Sequence, residues 1–136
     1  DGDCRMSHST KKPQKNPKNI SFKPASKVVK EKVSLGSSTQ RQVLIGVKDG
    51  APNFAMRRFI MGNGGGMPLH TNTVEHEQYV LKGKARVGIG ESVYVVQAND
   101  VLYIPAGTPH FYEVIDGPFE FLCIVPNDPD ELQILD

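Results

Sequence analysis

The stretch His70-Thr-Asn-Thr-Val-Glu-His76-Glu-Gln-Tyr-Val-Leu carries more information on the fold than any other part of this chain. Alternate residues of an extended segment point to the same face, so His70 and Asn72 are expected to project together. In the strand that follows, His76 and Gln78 share a face with Val80, while the residues between them face the other way. The pattern predicts paired strands that present imidazoles toward one interior.

A second block, Asp100-Val-Leu-Tyr-Ile-Pro-Ala-Gly-Thr-Pro-His110, contributes a third histidine. In an extended chain His110 shares its face with Tyr112 and Val114, so we expect both to line a pocket together with Gln78. A neutral imidazole is the commonest metal ligand near neutral pH. Three imidazoles in two glycine-bracketed blocks therefore favour one shared metal site over unrelated core histidines. The fourth histidine, His8, is interpreted as a solvated residue of a tail.

From about residue 20 onward the sequence has the pattern of an all-β protein. Short apolar runs separated by Gly, Asn, Asp and Pro are typical of antiparallel sandwiches and barrels. The predicted turns and breaks lie at Asp49-Gly50, Gly62–Gly66, Gly83 and Asp116-Gly-Pro118. The only helix expected is a short C-terminal helical turn, where Asp128-Pro129 precedes Asp130-Glu-Leu-Gln.

Length and charge divide the chain into two parts. Its 136 residues suit one domain, and we expect a basic flexible tail over residues 1–19 followed by a barrel domain over residues 20–136. Residues 1–34 contain eight lysines and one arginine against three acidic residues. The basic stretch at 11–19 has no aromatic residue to stack on bases, so nucleic-acid binding is not expected.

The cellular compartment of the protein is predicted from its cysteines and from the length of its apolar runs. No run approaches the ~20 apolar residues of a membrane helix, so no membrane association is expected. No signal-peptide core is visible, and because the chain does not begin with Met we expect a processed or engineered first residue. Cys4 and Cys123 fit neither a disulfide framework nor a zinc-ligand spacing, and Cys123 is expected to be a small core residue. We therefore predict a cytoplasmic protein.

The two histidine blocks together resemble the paired motifs of the cupin superfamily. The first cupin motif runs Gly-x5-His-x-His-x3 or x4-Glu-x6-Gly, and the second runs Gly-x5-Pro-x-Gly-x2-His-x3-Asn. This chain follows them from Gly64 to Gly83 and from Pro105 to His110, and residues 84–98 between the blocks are similar in number to those of compact microbial cupins. The resemblance implies a single-domain jelly-roll barrel, the double-stranded β-helix.

The chain departs from the cupin motifs at four positions. Asn72 stands where a second histidine is usual, and His76 stands at the position of the acidic ligand, counted back from Gly83. Asn99 replaces the leading glycine of the second motif, and Val114 replaces its terminal asparagine.

The context of His76, together with the upstream Pro52-Asn-Phe-Ala-Met-Arg, resembles a small-cupin subgroup in which four histidines hold manganese or another divalent ion. By that resemblance the ligands would be His70, His76 and His110. Asn72 would take the fourth position, either as a ligand or as a hydrogen-bond partner of a bound water. Mn or Fe is favoured, and Ni, Cu or Zn would also suit imidazole. Glu77 is the alternative ligand in place of His76. It is less favoured, because in a strand Glu77 points to the face opposite to that of His76.

These features favour an oxygenase-type enzyme that binds a small organic substrate at a three-histidine metal site. The oxygenase expectation rests on the resemblance, because cupins with three- or four-histidine sites include dioxygenases. The alternatives are a non-catalytic module that binds a metal or small ligand, and a cupin isomerase or lyase, which is disfavoured by the lack of a carboxylate base in the predicted pocket. We also expect a homodimer, in which the strand-like segment Lys27–Val33 adds to a neighbouring sheet edge.

Overall fold

The computed structural model describes residues 20–135, which form one antiparallel β-structure. The eight strands are β1 (Glu31–Lys32), β2 (Ser37–Ile45), β3 (Phe54–Asn72), β4 (His76–Ile89), β5 (Ser92–Gln97), β6 (Val101–Ile104), β7 (His110–Pro126) and β8 (Leu132–Ile134). Short 3₁₀ turns lie at Ala25–Lys27 and Val47–Asp49. The predicted single-domain, all-β jelly-roll fold is confirmed. The predicted tail over residues 1–19, with Cys4 and His8, lies outside the described residues.

β7 is the central strand, because it pairs with β3 on one side and with β4 on the other. The strand order is β1-β2-β3-β7-β4-β5, with β6 pairing to the first half of β4 and β8 to the end of β3. The three long strands thus run side by side along the whole interior. Each of them supplies one histidine to the same end of the barrel.

β4 changes the face it buries halfway along its length. His76, Gln78 and Val80 are buried in its first half, whereas Ala85 and Val87 are buried in its second half. The parity changes at Gly83, which has a φ of +83° and sits among successive register shifts against β7. A bulge of this kind adds a residue and reverses which side chains point inward. The turn predicted at Gly83 is therefore wrong: the glycine marks a bulge inside one long strand.

β3 and β7 show the same behaviour at two more of the predicted breaks, Gly62–Gly66 and Asp116-Gly-Pro118. The pairing of β3 with β7 shifts register between Met61 and Gly66, and the shift in β7 includes the segment Asp116-Gly-Pro118. Both strands continue through these points. The predicted break and turn are wrong for one physical reason: glycine and proline mark an irregular backbone but do not specify whether the chain reverses there or bulges.

An apolar core fills the barrel behind the histidines. Its fully buried members include Met61, Val80, Ala85, Val87 and Phe119. Phe121 stacks on Phe59 with ring centroids 5.2 Å apart and on Tyr112 with centroids 5.3 Å apart. Cys123 is buried and free, in agreement with the prediction of a small core residue.

The predicted C-terminal helical turn is wrong. The chain bends at Asn127 and Asp128 and then extends into β8, which pairs antiparallel with His70–Asn72 of β3. Asp130 accepts hydrogen bonds from the Thr73 backbone N–H (2.9 Å) and from the Thr73 hydroxyl (3.2 Å). These tertiary hydrogen bonds favour an extended backbone over the helical turn that the local sequence suggested.

The N-terminal edge of the sheet is formed within the chain itself. Only Glu31–Lys32 of the predicted segment Lys27–Val33 is a strand, and it pairs with β2. The homodimer stays a prediction. Among residues 20–135 no helix has the length and apolar character needed to span a membrane.

Candidate metal centre

Three imidazoles meet at one end of the barrel interior. His70 lies near the end of β3, and His76 and His110 are the first residues of β4 and β7. The ring centroids of His70 and His110 are 4.1 Å apart, and those of His76 and His110 are 5.6 Å apart. All three side chains are buried, and all three line a cavity of about 190 Å³. The predicted convergence of the histidines is therefore seen.

Backbone carbonyls orient two of the three rings. His70 Nδ1 lies 2.7 Å from the Pro68 carbonyl oxygen, and His110 Nδ1 lies 2.9 Å from the Thr108 carbonyl oxygen. A carbonyl can only accept, so each Nδ1 carries the proton and donates it. The lone pair is then on Nε2, which is the arrangement that metal-binding histidines use.

The His76 ring is oriented by a thiol. Its Nδ1 lies 3.1 Å from Cys123 Sγ and 3.4 Å from Arg57 Nη2. Nδ1 can donate to Sγ, which leaves the lone pair on Nε2, or accept from the guanidinium, which can only donate and so requires the proton on Nε2. Only the first tautomer offers Nε2 to a metal ion. His76 Nε2 is buried and has no hydrogen-bond partner among the described residues. A buried polar atom without a partner is unfavourable, so the cavity provides a position where a ligand would relieve that cost.

Burial keeps these imidazoles neutral. Desolvation, reinforced by the Arg57 guanidinium and by His110, lowers the pKa of His76 to about 3. Desolvation likewise lowers the pKa of His110 to about 4, and it lowers the pKa of His70. Neutral imidazole is the form that coordinates a metal ion, so no proton has to leave before binding.

Asn72 is buried in the cavity wall, as predicted, and it contacts an acid that the sequence did not place there. Its Nδ2 donates to Asp130 Oδ2 at 3.0 Å. Because a carboxylate only accepts, the amide nitrogen must face Asp130, which leaves Asn72 Oδ1 for a ligand in the cavity. The role of Asn72 as a metal ligand stays a prediction.

Two of the three predicted pocket residues line the cavity. Gln78 Nε2 donates to the Tyr112 hydroxyl oxygen at 2.7 Å, and both side chains are buried. Val114 is not part of the cavity wall; it packs against the apolar core. Val114 lies two positions beyond Tyr112 along β7, at a depth where core side chains fill the interior. Strand parity predicted correctly that Val114 faces the interior, but it did not predict how far along β7 the cavity wall extends.

Three charged residues also line the cavity: sequence reasoning missed Arg41 and Asp130, and it left open which of Arg57 and Arg58 faces inward. The parity of β3 required that only one of Arg57 and Arg58 face inward, and the structure identifies Arg57. Arg58 lies on the other face, where its Nε donates to Glu120 at 3.1 Å. Arg57 shares the parity of Ala55 and Met61, which are buried, but Met56 and Ile60 on the other face are apolar too, so the sequence alone did not distinguish the two arginines. No local signal identified Asp130.

The donor set fits a divalent cation. Three neutral imidazoles are available, and one of them has an orphaned buried nitrogen. Among residues 20–135 no three His, Cys, Asp or Glu side chains are arranged as a metal-binding group, so the fit rests on the chemistry of the donors and not on their spacing. Glu77, the alternative ligand, lies on the opposite face of β4 from His76 and outside the cavity wall.

Comparison with known proteins defines the class. Residues 57–125 match the cupin domain family, which is half of the chain, so this chain belongs to the cupin family. A cupin 2 domain-containing protein from Halorhodospira halophila is similar in structure, with 31% identity, a TM-score of 0.67 and coverage of 73% of this chain and 71% of that chain. The manganese-binding subgroup stays a prediction.

Two further relatives have more specific names. The structure is similar to that of the polyketide cyclase RemF from Streptomyces resistomycificus, with 26% identity, a TM-score of 0.79 and 86% of both chains covered. The sequence is 31% identical over 80 residues to 1-methylthio-D-xylulose 5-phosphate methylsulfurylase from Rhodospirillum rubrum. That match covers 58% of this chain and 51% of the relative, so the chain spans about half the length of this curated protein.

Proposed function

We propose that this chain is a metal-dependent cupin enzyme that transfers protons on a small carbonyl substrate, as cyclisation, lyase and isomerisation reactions require. One observation carries the proposal. The Asp130 carboxylate lies in the wall of the same cavity as the three imidazoles, so a Brønsted base stands beside a set of metal ligands. The lack of such a carboxylate was the reason to disfavour this chemistry from the sequence.

In this proposal His70, His76 and His110 hold the cation, and Asn72 offers its amide oxygen beside them. Mn or Fe is favoured, and Ni, Cu or Zn is compatible with the same donors. When bound, a divalent cation supplies Lewis acidity that polarises a carbonyl oxygen.

The other polar groups of the cavity have separate roles. Asp130 removes a proton next to the substrate carbonyl, and its carboxylate is held in place by Asn72 and Thr73. Burial raises the pKa of Tyr112, so its hydroxyl stays protonated, and because its oxygen already accepts from Gln78 the hydroxyl can donate to a substrate oxygen. Gln78 Oε1 is buried without a partner and accepts from a substrate hydroxyl.

Neither of the two relatives with a specific name is named an oxygenase. One is named a polyketide cyclase and the other a methylsulfurylase. Oxygenase activity is the second candidate, because an all-imidazole donor set also suits a redox-active iron or manganese ion. The third candidate is a non-catalytic binding module, which would bind metal but catalyse no reaction.

The first experiment tests the ligand set. Metal content is measured on the full chain purified without chelator, for the wild type, for His76→Ala and for His8→Ala. We expect His76→Ala to lose bound metal and His8→Ala, which makes the same change at a histidine outside the two sequence blocks, to keep it. Full metal occupancy in His76→Ala, with a circular dichroism spectrum like that of the wild type, would refute the ligand assignment.

The second experiment distinguishes the two reactions on one sample. The metal-loaded protein is mixed with a β-diketone in deuterated buffer, and α-proton exchange is followed by NMR while dissolved oxygen is recorded. We expect faster exchange without oxygen uptake. Asp130→Asn should lower the exchange rate, and Asp128→Asn, an exposed neighbour outside the cavity wall, should not. Oxygen consumption in step with substrate loss would instead support the oxygenase.

A further inference from the structure

We propose that the substrate of this cavity is an anion, and that Arg57 binds its carboxylate or phosphate group. The inference rests on the proposed function in so far as it concerns the same cavity. It adds a substrate class and a specificity-determining residue.

Arg57 is a cation that has no counter-ion among the residues that the structure describes. It is half-buried in the cavity wall, and it takes part in none of the ion pairs found among residues 20–135. Its Nε is buried and has no hydrogen-bond partner in the same part of the chain. Its Nη2 donates to Cys123 Sγ at 3.4 Å, a weak acceptor that carries little negative charge while the thiol is protonated.

The Arg57 guanidinium is also held in place. Its Cζ lies 5.1 Å from the centroid of the Phe59 ring, a cation–π contact that fixes the plane of the side chain. A planar guanidinium offers paired N–H donors that match the spacing of two oxygens on a carboxylate or phosphate. A fixed, partly desolvated and unpaired guanidinium is therefore suited to an anion that enters from the cavity.

The neighbouring Arg58 provides a comparison, because it does form an ion pair. Arg58 lies on the opposite face of β3 and pairs with Glu120 on β7. Arg57 and Arg58 thus share the same local sequence and the same strand, but only the inward one lacks a carboxylate. Stabilisation of the fold does not account for this difference, because a charge without a partner in a low-dielectric site is unfavourable.

The charge of the whole cavity wall favours the same class of ligand. A second arginine, Arg41, lines the cavity with its own Nε buried and unpartnered, while its Nη2 donates to Glu31 at 3.2 Å. The single carboxylate of the wall, Asp130, is already hydrogen-bonded to Asn72 and Thr73. The wall residues thus carry two guanidinium charges against one carboxylate, a net charge of +1. Because Arg41 is paired with Glu31, Arg57 is the cation left to attract an anion.

The test measures binding of small anions to the full chain by isothermal titration calorimetry. Malonate represents a carboxylate ligand, inorganic phosphate a phosphate ligand, and malonamide is the neutral match for malonate. Each is titrated into metal-loaded and metal-free protein, for the wild type, Arg57→Gln, Arg57→Lys and Arg58→Gln. Metal affinity is measured on the same variants, because Arg57 also lies near His76.

We expect Arg57→Gln to weaken binding of the anion by about 10- to 100-fold, as expected for loss of a charge-assisted pair, and Arg58→Gln to change it by less than about twofold. Arg57→Lys should retain part of the affinity, since the charge remains and the planar fork is lost. Whichever of malonate and phosphate binds more tightly in an Arg57-dependent way identifies the acidic group.

Three results would overturn the inference: equal effects of Arg57→Gln and Arg58→Gln, malonamide binding as tightly as malonate, or a loss of metal affinity in Arg57→Gln that matches the loss of anion affinity. Arg57-dependent anion binding by metal-free protein would support the subsite even if the metal-dependent reaction proposed above failed. The two proposals can therefore fail separately.

Discussion

The apolar core and the candidate metal centre are built by the same three strands, and they differ in how well their buried groups are satisfied. On β4, Val80 belongs to the core and is fully buried among apolar side chains, whereas His76, on the same face, has a ring nitrogen without a partner. Arg57 Nε and Gln78 Oε1, also in the centre, likewise have no hydrogen-bond partner in the described part of the chain. The core stabilises the fold, and the centre retains groups that only a ligand would satisfy.

This contrast indicates where the free energy of unfolding comes from. Apolar side chains gain stability from burial itself, while polar side chains gain it only when they are paired. Unpaired polar atoms at functional sites are a common cost, because they are kept for binding and their instability is offset elsewhere in the fold. Changes in the core should therefore lower stability, and suitable changes in the centre should raise it.

The largest effect is expected from acidification of the metal-free protein. The folded-state pKa values of His76 (about 3) and His110 (about 4) lie below the ordinary value of 6.5, and that of His70 is also lowered. An unfolded chain then binds more protons than the folded one as the pH falls below about 6.5, so stability present above that pH is lost on the way to pH 4. Urea unfolding midpoints between pH 7.5 and pH 4 measure this loss.

The control for acidification is the metal-loaded protein. If the cation occupies the imidazoles, protons must compete with it, so the decline should begin at a lower pH than in the metal-free protein. A midpoint that stays constant from pH 7.5 to pH 4 in the metal-free protein would mean that the three rings are not kept neutral by burial.

The next largest effect is expected from Phe119→Ala in the core. Phe119 is fully buried, and its ring centroid lies 5.4 Å from that of Phe121. Removing a buried phenyl ring costs about 3–5 kcal/mol of unfolding free energy, because the cavity left behind collapses only in part. Denaturant unfolding measures the loss. Metal uptake by the fraction that stays folded should be unchanged, and a loss of metal binding at low denaturant would show that core and centre are not separable.

Local strand parity was enough to predict which face of each segment is buried. It placed His70 with Asn72 and His110 with Tyr112, and it favoured His76 over Glu77. These relations hold over a few residues, because alternate side chains of an extended backbone must point to the same face. The same parity, with the two histidine blocks, predicted that the imidazoles converge, and the cupin resemblance then implied the ligand set.

The missed features depend on contacts distant in sequence. Asp130 reaches the cavity only because β8 pairs with the end of β3, some 60 residues earlier in the chain, and its own neighbours instead suggested a helical turn. The bulges at Gly83 and in Gly62–Gly66 have the same composition as turns. Pairing of the long strands with β7 decides between the two, and no local sequence contains that information.

A smaller effect is expected from Gly66→Ala, at the point where β3 passes from the core to the centre. Gly66 has a φ of +148°, and a Cβ there would lie 2.0 Å from the Tyr112 carbonyl oxygen. The clash and the backbone strain together should cost about 2–4 kcal/mol. Gly64→Ala is the matched control: φ is also positive at +74°, but no atom lies within 4 Å of the added carbon. Equal losses in the two variants would show that strain alone, without the close approach, sets the cost.

The smallest effect is expected from His76→Leu, and it has the opposite sign. Leucine removes the unpartnered Nε2 and keeps the apolar volume, so the metal-free protein should become more stable by about 1 kcal/mol, which denaturant unfolding near pH 7.5 can measure. His70→Leu is the comparison, because it removes the donor to the Pro68 carbonyl and should give no such gain. Both variants should bind less metal than the wild type. If His76→Leu were the less stable of the two, the contact of His76 with Cys123 would stabilise the fold, and the centre would contribute to stability as the core does.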